Sequence, residues 1–96
     1  MLVLITYDIN ITEAAGARRL RRVAKQCVNY GVRVQNSVFE CQVDAAQYTK
    51  LKHLLLKEID EEKDSLRFYS LGNHYNGKVE HFGVQHGLEV DEPLIL

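Results

Sequence analysis

Residues 32–43 read VRVQNSVFECQV, and whether they make one strand or two decides the fold. The stretch is rich in valine and alternates as strands do, but it is too long and too polar at its middle for a single buried strand. Asn36 and Ser37 are turn-forming residues, so the segment divides there into two antiparallel strands joined by a tight turn or bulge.

Working outward, Leu2 to Tyr7 is a short β-branched and aromatic run that reads as a first strand. Leu20, Val23, Ala24, Cys27 and Val28 then recur at helical spacing, which predicts an amphipathic helix from about Thr12 to Tyr30. Thr12 is the expected N-cap and Gly31 the expected stop. After the paired strands, Asp44 is expected to cap a second helix running to about Glu62, with Tyr48, Leu51, Leu55 and Ile59 as its apolar stripe. SLRFYSLG, residues 65–72, reads as a fourth strand.

The order strand, helix, strand, strand, helix, strand is that of an α+β ferredoxin-like βαββαβ sandwich, with both helices on one face of the sheet. Residues 1–72 are the expected core. Residues 73–96 are the expected C-terminal arm, with a strand-like VEHFGV and an apolar end after Pro93 at Leu94, Ile95 and Leu96. Such an arm adds a strand to a sheet edge, its own or a neighbour's. The uncovered sheet face points to a homodimer formed through the sheet faces. At 96 residues with 46% hydrophobic content the chain is one small domain that gains from partnering.

No apolar run reaches the roughly 18 residues of a membrane span, and the N-terminus resembles no secretory leader, so the expected location is cytoplasmic. Cys27 and Cys41 fall on a predicted helix stripe and strand, where reduced core thiols are expected. His74, His81 and His86 match no zinc spacing and read as ordinary loop residues.

The net charge is −1, but no acidic residue stands between Glu13 and Glu40. That interval holds Arg18, Arg19, Arg21, Arg22, Lys25 and Arg33, six of the twelve basic residues. A solvated helix face normally mixes signs. Like charges this dense favour an anionic partner such as a phosphate backbone. Arg33 either extends this patch or pairs with Asp8. The acidic run Glu58, Asp60, Glu61, Glu62 and Asp64 reads as the solvated end of the second helix.

Asp8 ends the first strand, and two readings stand beside each other. Within one chain it is a turn or capping residue. Across a two-fold axis, two copies could share a magnesium ion, which binds through one or two carboxylates and keeps several waters. Facing carboxylates raise each other's apparent pKa, so such a site would bind metal better as pH rises.

Three stretches together, LITYDI, RRLRRVAK and GVRVQNSVFEC, resemble the CRISPR-associated protein 2 family, and the resemblance spans essentially the first 72 residues. The closing KVEHFG and DEPLIL look like the tail of the group that accompanies type I-C systems. The resemblance implies a ferredoxin-like homodimer working with the CRISPR-associated integrase, CRISPR-associated protein 1, in capturing and inserting new spacers. It implies double-stranded DNA as partner, with single-stranded RNA as a second nucleic acid. It also implies Mg2+, or another divalent cation such as Mn2+, between two copies of Asp8. Family members are assigned metal-dependent phosphodiesterase activity, although in the integration complex the protein looks more like a bridge than an enzyme. By position, the catalytic set carried over is Tyr7, Asp8, Arg22, Arg33 and Phe39. The first helix departs from the family pattern at Leu20, where an arginine is common. Arg18, Arg19 and Arg21 are expected to supply that charge. A purely structural DNA scaffold and a toxin-like endoribonuclease of the same fold are the alternatives.

Overall fold

The computed structural model describes residues 1–71 and 78–84. The expected tail at 85–96, with Pro93 and the apolar end, and the residues His74 and His86 lie outside the described residues. The elements are β1 (Leu2–Asp8), α1 (Ala14–Val28), β2 (Gly31–Gln35), β3 (Val38–Gln42), α2 (Ala45–Glu58), β4 (Ser65–Ser70) and β5 (Lys78–Gly83). They build the α+β sandwich expected from the order, with a five-stranded sheet arranged β2-β3-β1-β4-β5 and every pair antiparallel. The turn at Asn36 and Ser37 does divide residues 32–43, and a register shift between Arg33 and Gln35 kinks β2.

β1 is the central strand, with Ile5 level with Phe39 on one side and with Phe68 on the other. Side chains alternate along a strand, so Val3, Ile5 and Tyr7 face the helices while Leu2, Leu4, Thr6 and Asp8 face the opposite side. Val3, Ile5 and Tyr7 join the helix-covered core. Leu4 lies outside that cluster and is still buried, level with Glu40 and Tyr69 on the neighbouring strands. Phe39, Phe68 and Ile5 are wholly buried, and truncating a phenylalanine at such a position costs about 3–5 kcal/mol.

α1 buries Gly16, Val23 and Cys27. It starts at Ala14, two residues after the expected Thr12. Glu13 occupies the N-cap without a side-chain capping bond, and Thr12 instead donates from its hydroxyl to Asn10 Oδ1 at 2.7 Å. The helix closes at Val28 with Asn29 as C-cap, and Val28, placed in the apolar stripe by spacing, is 59% exposed. Gly31 therefore does not stop α1. It opens β2, where a Cβ would strike the Cys41 side chain and the Glu40 carbonyl, so glycine is required by strand packing.

α2 has the expected cap: Asp44 accepts from the Gln47 amide at 2.7 Å and Gln47 Oε1 accepts from the Asp44 amide at 2.9 Å. Leu51 and Leu55 are buried, with Tyr48 and Ile59 packed on the same cluster. The helix ends at Glu58, four residues before the expected Glu62, because Ile59 turns to an extended backbone (φ −85°, ψ 161°) that keeps its side chain on the core.

β5 lies within the expected arm and pairs with β4 of the same chain. Phe82 meets Phe68 edge to face at 6.0 Å, and Glu80 accepts from Tyr48 Oη at 2.9 Å and Lys52 Nζ at 2.6 Å. Both cysteines are reduced and buried. Burial pushes the Cys27 thiol up to about 12 and the Cys41 thiol up to about 11.

Candidate metal half-site and basic helix face

Asp8 closes β1 level with Ser65 of β4. Its side chain is exposed and lies on the sheet face opposite both helices, by the alternation that buries Tyr7 on the helix side. A carboxylate is a hard oxygen donor of the kind that magnesium and manganese accept. Among the described residues, no three His, Cys, Asp or Glu side chains converge on a common point. The donor chemistry of one chain thus fits half of a shared, largely hydrated ion and not a closed cage.

The other residues carried over with Asp8 do not stand beside it. Tyr7 and Phe39 stack on the helix side with ring centroids 6.2 Å apart and are buried. Tyr7 Oη donates to the Asn36 carbonyl at 3.5 Å and meets the Arg33 side chain, and burial raises the phenol above its ordinary pKa. Arg33 places its guanidinium over the Phe39 ring at 5.1 Å. Of its two sequence readings, the pairing with Asp8 is not the one formed, because Arg33 is level with Phe39 on the helix side of the sheet. Its contact with Phe39 and Tyr7 is a cation held at the sheet edge.

The basic helix divides in a way that residue type alone does not show. Arg18, Arg21, Arg22 and Lys25 are all exposed and together line an open depression of about 330 Å³. They recur at i, i+3, i+4 and i+7, which sets them on the side of α1 away from Val23 and Cys27. The ion pairs formed among the described residues join Arg19 with Asp64, Lys52 with Glu80 and Lys63 with Glu13, so none of these four cations is neutralised by a carboxylate there. Leu20, where the family pattern often has arginine, packs against the core.

Arg19 departs from this group. Its Nε donates to Asp64 Oδ2 at 2.7 Å and its Nη2 to Asp64 Oδ1 at 3.1 Å. Asp64, read from sequence as part of a solvated acidic run, is wholly buried. It also accepts from the Asn10 amide at 3.0 Å and the Asp60 amide at 2.8 Å. Each carboxylate oxygen thus receives two donors. Burial acts to raise the Asp64 pKa, but the Arg19 bond and the Asp60 and Asn10 amides outweigh it and leave the carboxyl below its usual range. Sequence reasoning missed this pair, although a signal was present: Arg19 lies four residues before buried Val23, beside the apolar stripe and not opposite it.

The sequence model of the family described as CRISPR associated protein Cas2 matches residues 1–79. The chain belongs to the Cas2 family. It is 60% identical over 95 residues to a protein of Halalkalibacterium halodurans named CRISPR-associated endonuclease Cas2, covering 99% of each chain. It is 58% identical over 96 residues to a protein of Nitratidesulfovibrio vulgaris named CRISPR-associated endoribonuclease Cas2, covering 100% of this chain and 94% of that one. Among solved structures, the crystal structure of Streptococcus pyogenes Cas2 at pH 6.5 matches with a TM-score of 0.70 and 57% identity, covering 78% of this chain and 90% of that one. Among the described residues, no helix is long and apolar enough to cross a membrane.

Proposed function

We propose that this Cas2 family member is a homodimeric CRISPR adaptation protein of the cytoplasm that binds duplex DNA on its helix layer. In that role it bridges subunits of the integrase CRISPR-associated protein 1 during spacer acquisition. The observation that supports it best is the outer face of α1, where Arg18, Arg21, Arg22 and Lys25 gather around one depression without a carboxylate partner among the described residues. Four cations held together repel one another, and phosphate oxygens relieve that repulsion while releasing the counterions condensed on the nucleic acid. Phosphate contacts of this kind carry no sequence information, so binding is expected to be to the backbone and independent of sequence. Measuring duplex affinity across salt concentrations tests this. Arg18→Glu with Arg22→Glu should abolish binding, and native affinity in that double variant would overturn the reading.

A second activity, hydrolysis of phosphodiester bonds in DNA or RNA, is favoured by the exposed Asp8 carboxylate on the sheet face opposite the helices. The names of the relatives, endonuclease and endoribonuclease, point the same way. In a dimer closed through the sheet faces, two copies of Asp8 would hold Mg2+ or Mn2+, which supplies charge stabilisation at phosphate oxygens and a more acidic bound water. Each chain contributes an oxygen donor and a strand end that keeps it at the interface. Tyr7 and Phe39 keep β1 and β3 packed beneath that face. Cleavage that needs magnesium and vanishes in Asp8→Asn, with the dimer intact, is the expected result.

A further inference from the structure

Asp8 is exposed, yet the chain that follows it is held from several sides. The Asn10 amide donates to Asp64 Oδ1 at 3.0 Å, and the Asn10 carbonyl accepts from Arg19 Nη2 at 3.4 Å. That carbonyl also lies so close to α1 that a Cβ on Gly16 would collide with it. The Asn10 side chain accepts from the Thr12 amide at 3.0 Å, and Ile9 is buried at 7% exposure. On the far side, Asp64 directly precedes Ser65, the β4 residue level with Asp8. Its own carbonyl accepts from the Val84 amide at 2.9 Å, and Gly83 turns there with φ +94°, where a Cβ would strike that same carbonyl.

We propose that Asp64 and Arg19 are positioning residues for Asp8, acting through the backbone of Asn10, and that Gly16 is the stop against which that backbone rests. This rests on the reading of Asp8 as a metal-holding carboxylate. A buried ion pair is weak as a source of stability, because desolvating both charges offsets most of their attraction. What this pair supplies is direction: a bidentate fork joins α1 to the turn before β4, and the remaining lone pairs fasten the β1–α1 loop and the 60–64 turn. A half-site to which each chain brings one carboxylate among the described residues, the rest of the shell being water, depends for its metal affinity on how rigidly that carboxylate is mounted. With both oxygens saturated by donors, Asp64 is not itself a ligand.

Mn2+ binding by electron paramagnetic resonance, with amide hydrogen exchange of the metal-free protein, tests the proposal on the wild type, Asp64→Asn, Gly16→Ala and Asp8→Asn. Asp64→Asn should speed exchange at residues 9–13 by about tenfold or more while the middle of β3 stays protected, and should weaken Mn2+ binding by about 10- to 100-fold. Gly16→Ala should do the same without touching any charge, and it decides the matter if Asp64→Asn does not fold. Asp8→Asn should lose Mn2+ but keep native protection at 9–13. Loss of Mn2+ in Asp8→Asn with native binding in both other variants overturns the positioning role and spares the metal reading. Native Mn2+ binding in Asp8→Asn overturns the metal reading and the proposal with it.

Discussion

Tyr7 and Asp8 are neighbours in sequence and point to opposite faces of the sheet, the phenol into the helix-covered core and the carboxylate outward. Two adjacent residues of one motif therefore have separate work, and substitutions should separate them. Tyr7→Phe removes only a hydroxyl whose partners are the Asn36 carbonyl, at 3.5 Å, and the Arg33 side chain, and should leave magnesium-dependent cleavage and stability near native. Tyr7→Ala should destabilise by about 3 kcal/mol or more through a core cavity. Asp8→Asn should remove cleavage while the chain still folds, since the side chain is exposed and leaves no core cavity. Urea unfolding and a nuclease assay on the three proteins check this, and loss of cleavage in folded Tyr7→Phe would assign the phenol a chemical role.

Charge reversal on α1 should discriminate between its cations. Arg22→Glu and Lys25→Glu should each weaken duplex binding and reduce the slope of log affinity against log salt by about one or more for each phosphate left unneutralised. Arg19→Gln should leave the salt slope near native, because that guanidinium is engaged by Asp64, and should lower the melting temperature instead. A reduced slope in Arg19→Gln with native stability would place Arg19 on the phosphate-binding face.

Asp64 ties stability to pH. Its carboxyl lies below the ordinary range in the folded chain, so the unfolded chain binds a proton first as pH falls. The stabilisation is complete above the unfolded value of about 3.9 and is lost as pH drops through the lower folded value. Wild type should therefore lose stability below about pH 4, and Asp64→Asn should be less stable at pH 7 with a flatter acid limb. Thermal melts from pH 7 to pH 2.5 measure both, and parallel acid limbs would assign the loss to other carboxylates.

The two thiols should be inert in the native protein. Burial raises Cys27 to about 12 and Cys41 to about 11, so thiolate is scarce at pH 8 and the reagent has no path to it. A thiol reagent should label neither within minutes, then both on adding denaturant. Rapid labelling of the native form would show that β2 and β3 open locally.

The fold was readable in the sequence because local signals agreed with one another. The valine-rich run broken at Asn36 and Ser37, the Asp44 cap and the alternating apolar strands each leave one sensible element. Misjudgements fell at element ends, where neighbours decide. Thr12 looked like a cap but its hydroxyl is engaged by Asn10, and Gly31 looked like a helix stop but answers to Cys41 across the sheet. The candidate site was half legible. Asp8 and the outer cations Arg18, Arg21, Arg22 and Lys25 stand where residue type and periodicity put them, whereas Asp64 reads in sequence as one more surface acid and is buried.

By itself the sequence determined the order of elements, the place of Asp8 at the end of β1 and the unmixed charge of α1, because periods of 2 and 3.6 residues follow from backbone geometry alone. Only the tertiary structure decided which arginine is spent inward. Arg19 and Asp64 lie 45 residues apart, and no local pattern says that two charges so far separated will be desolvated against each other. That depends on which loops close over the end of the sheet, and there the pair joins the chain after Asp8 to the strand beside it.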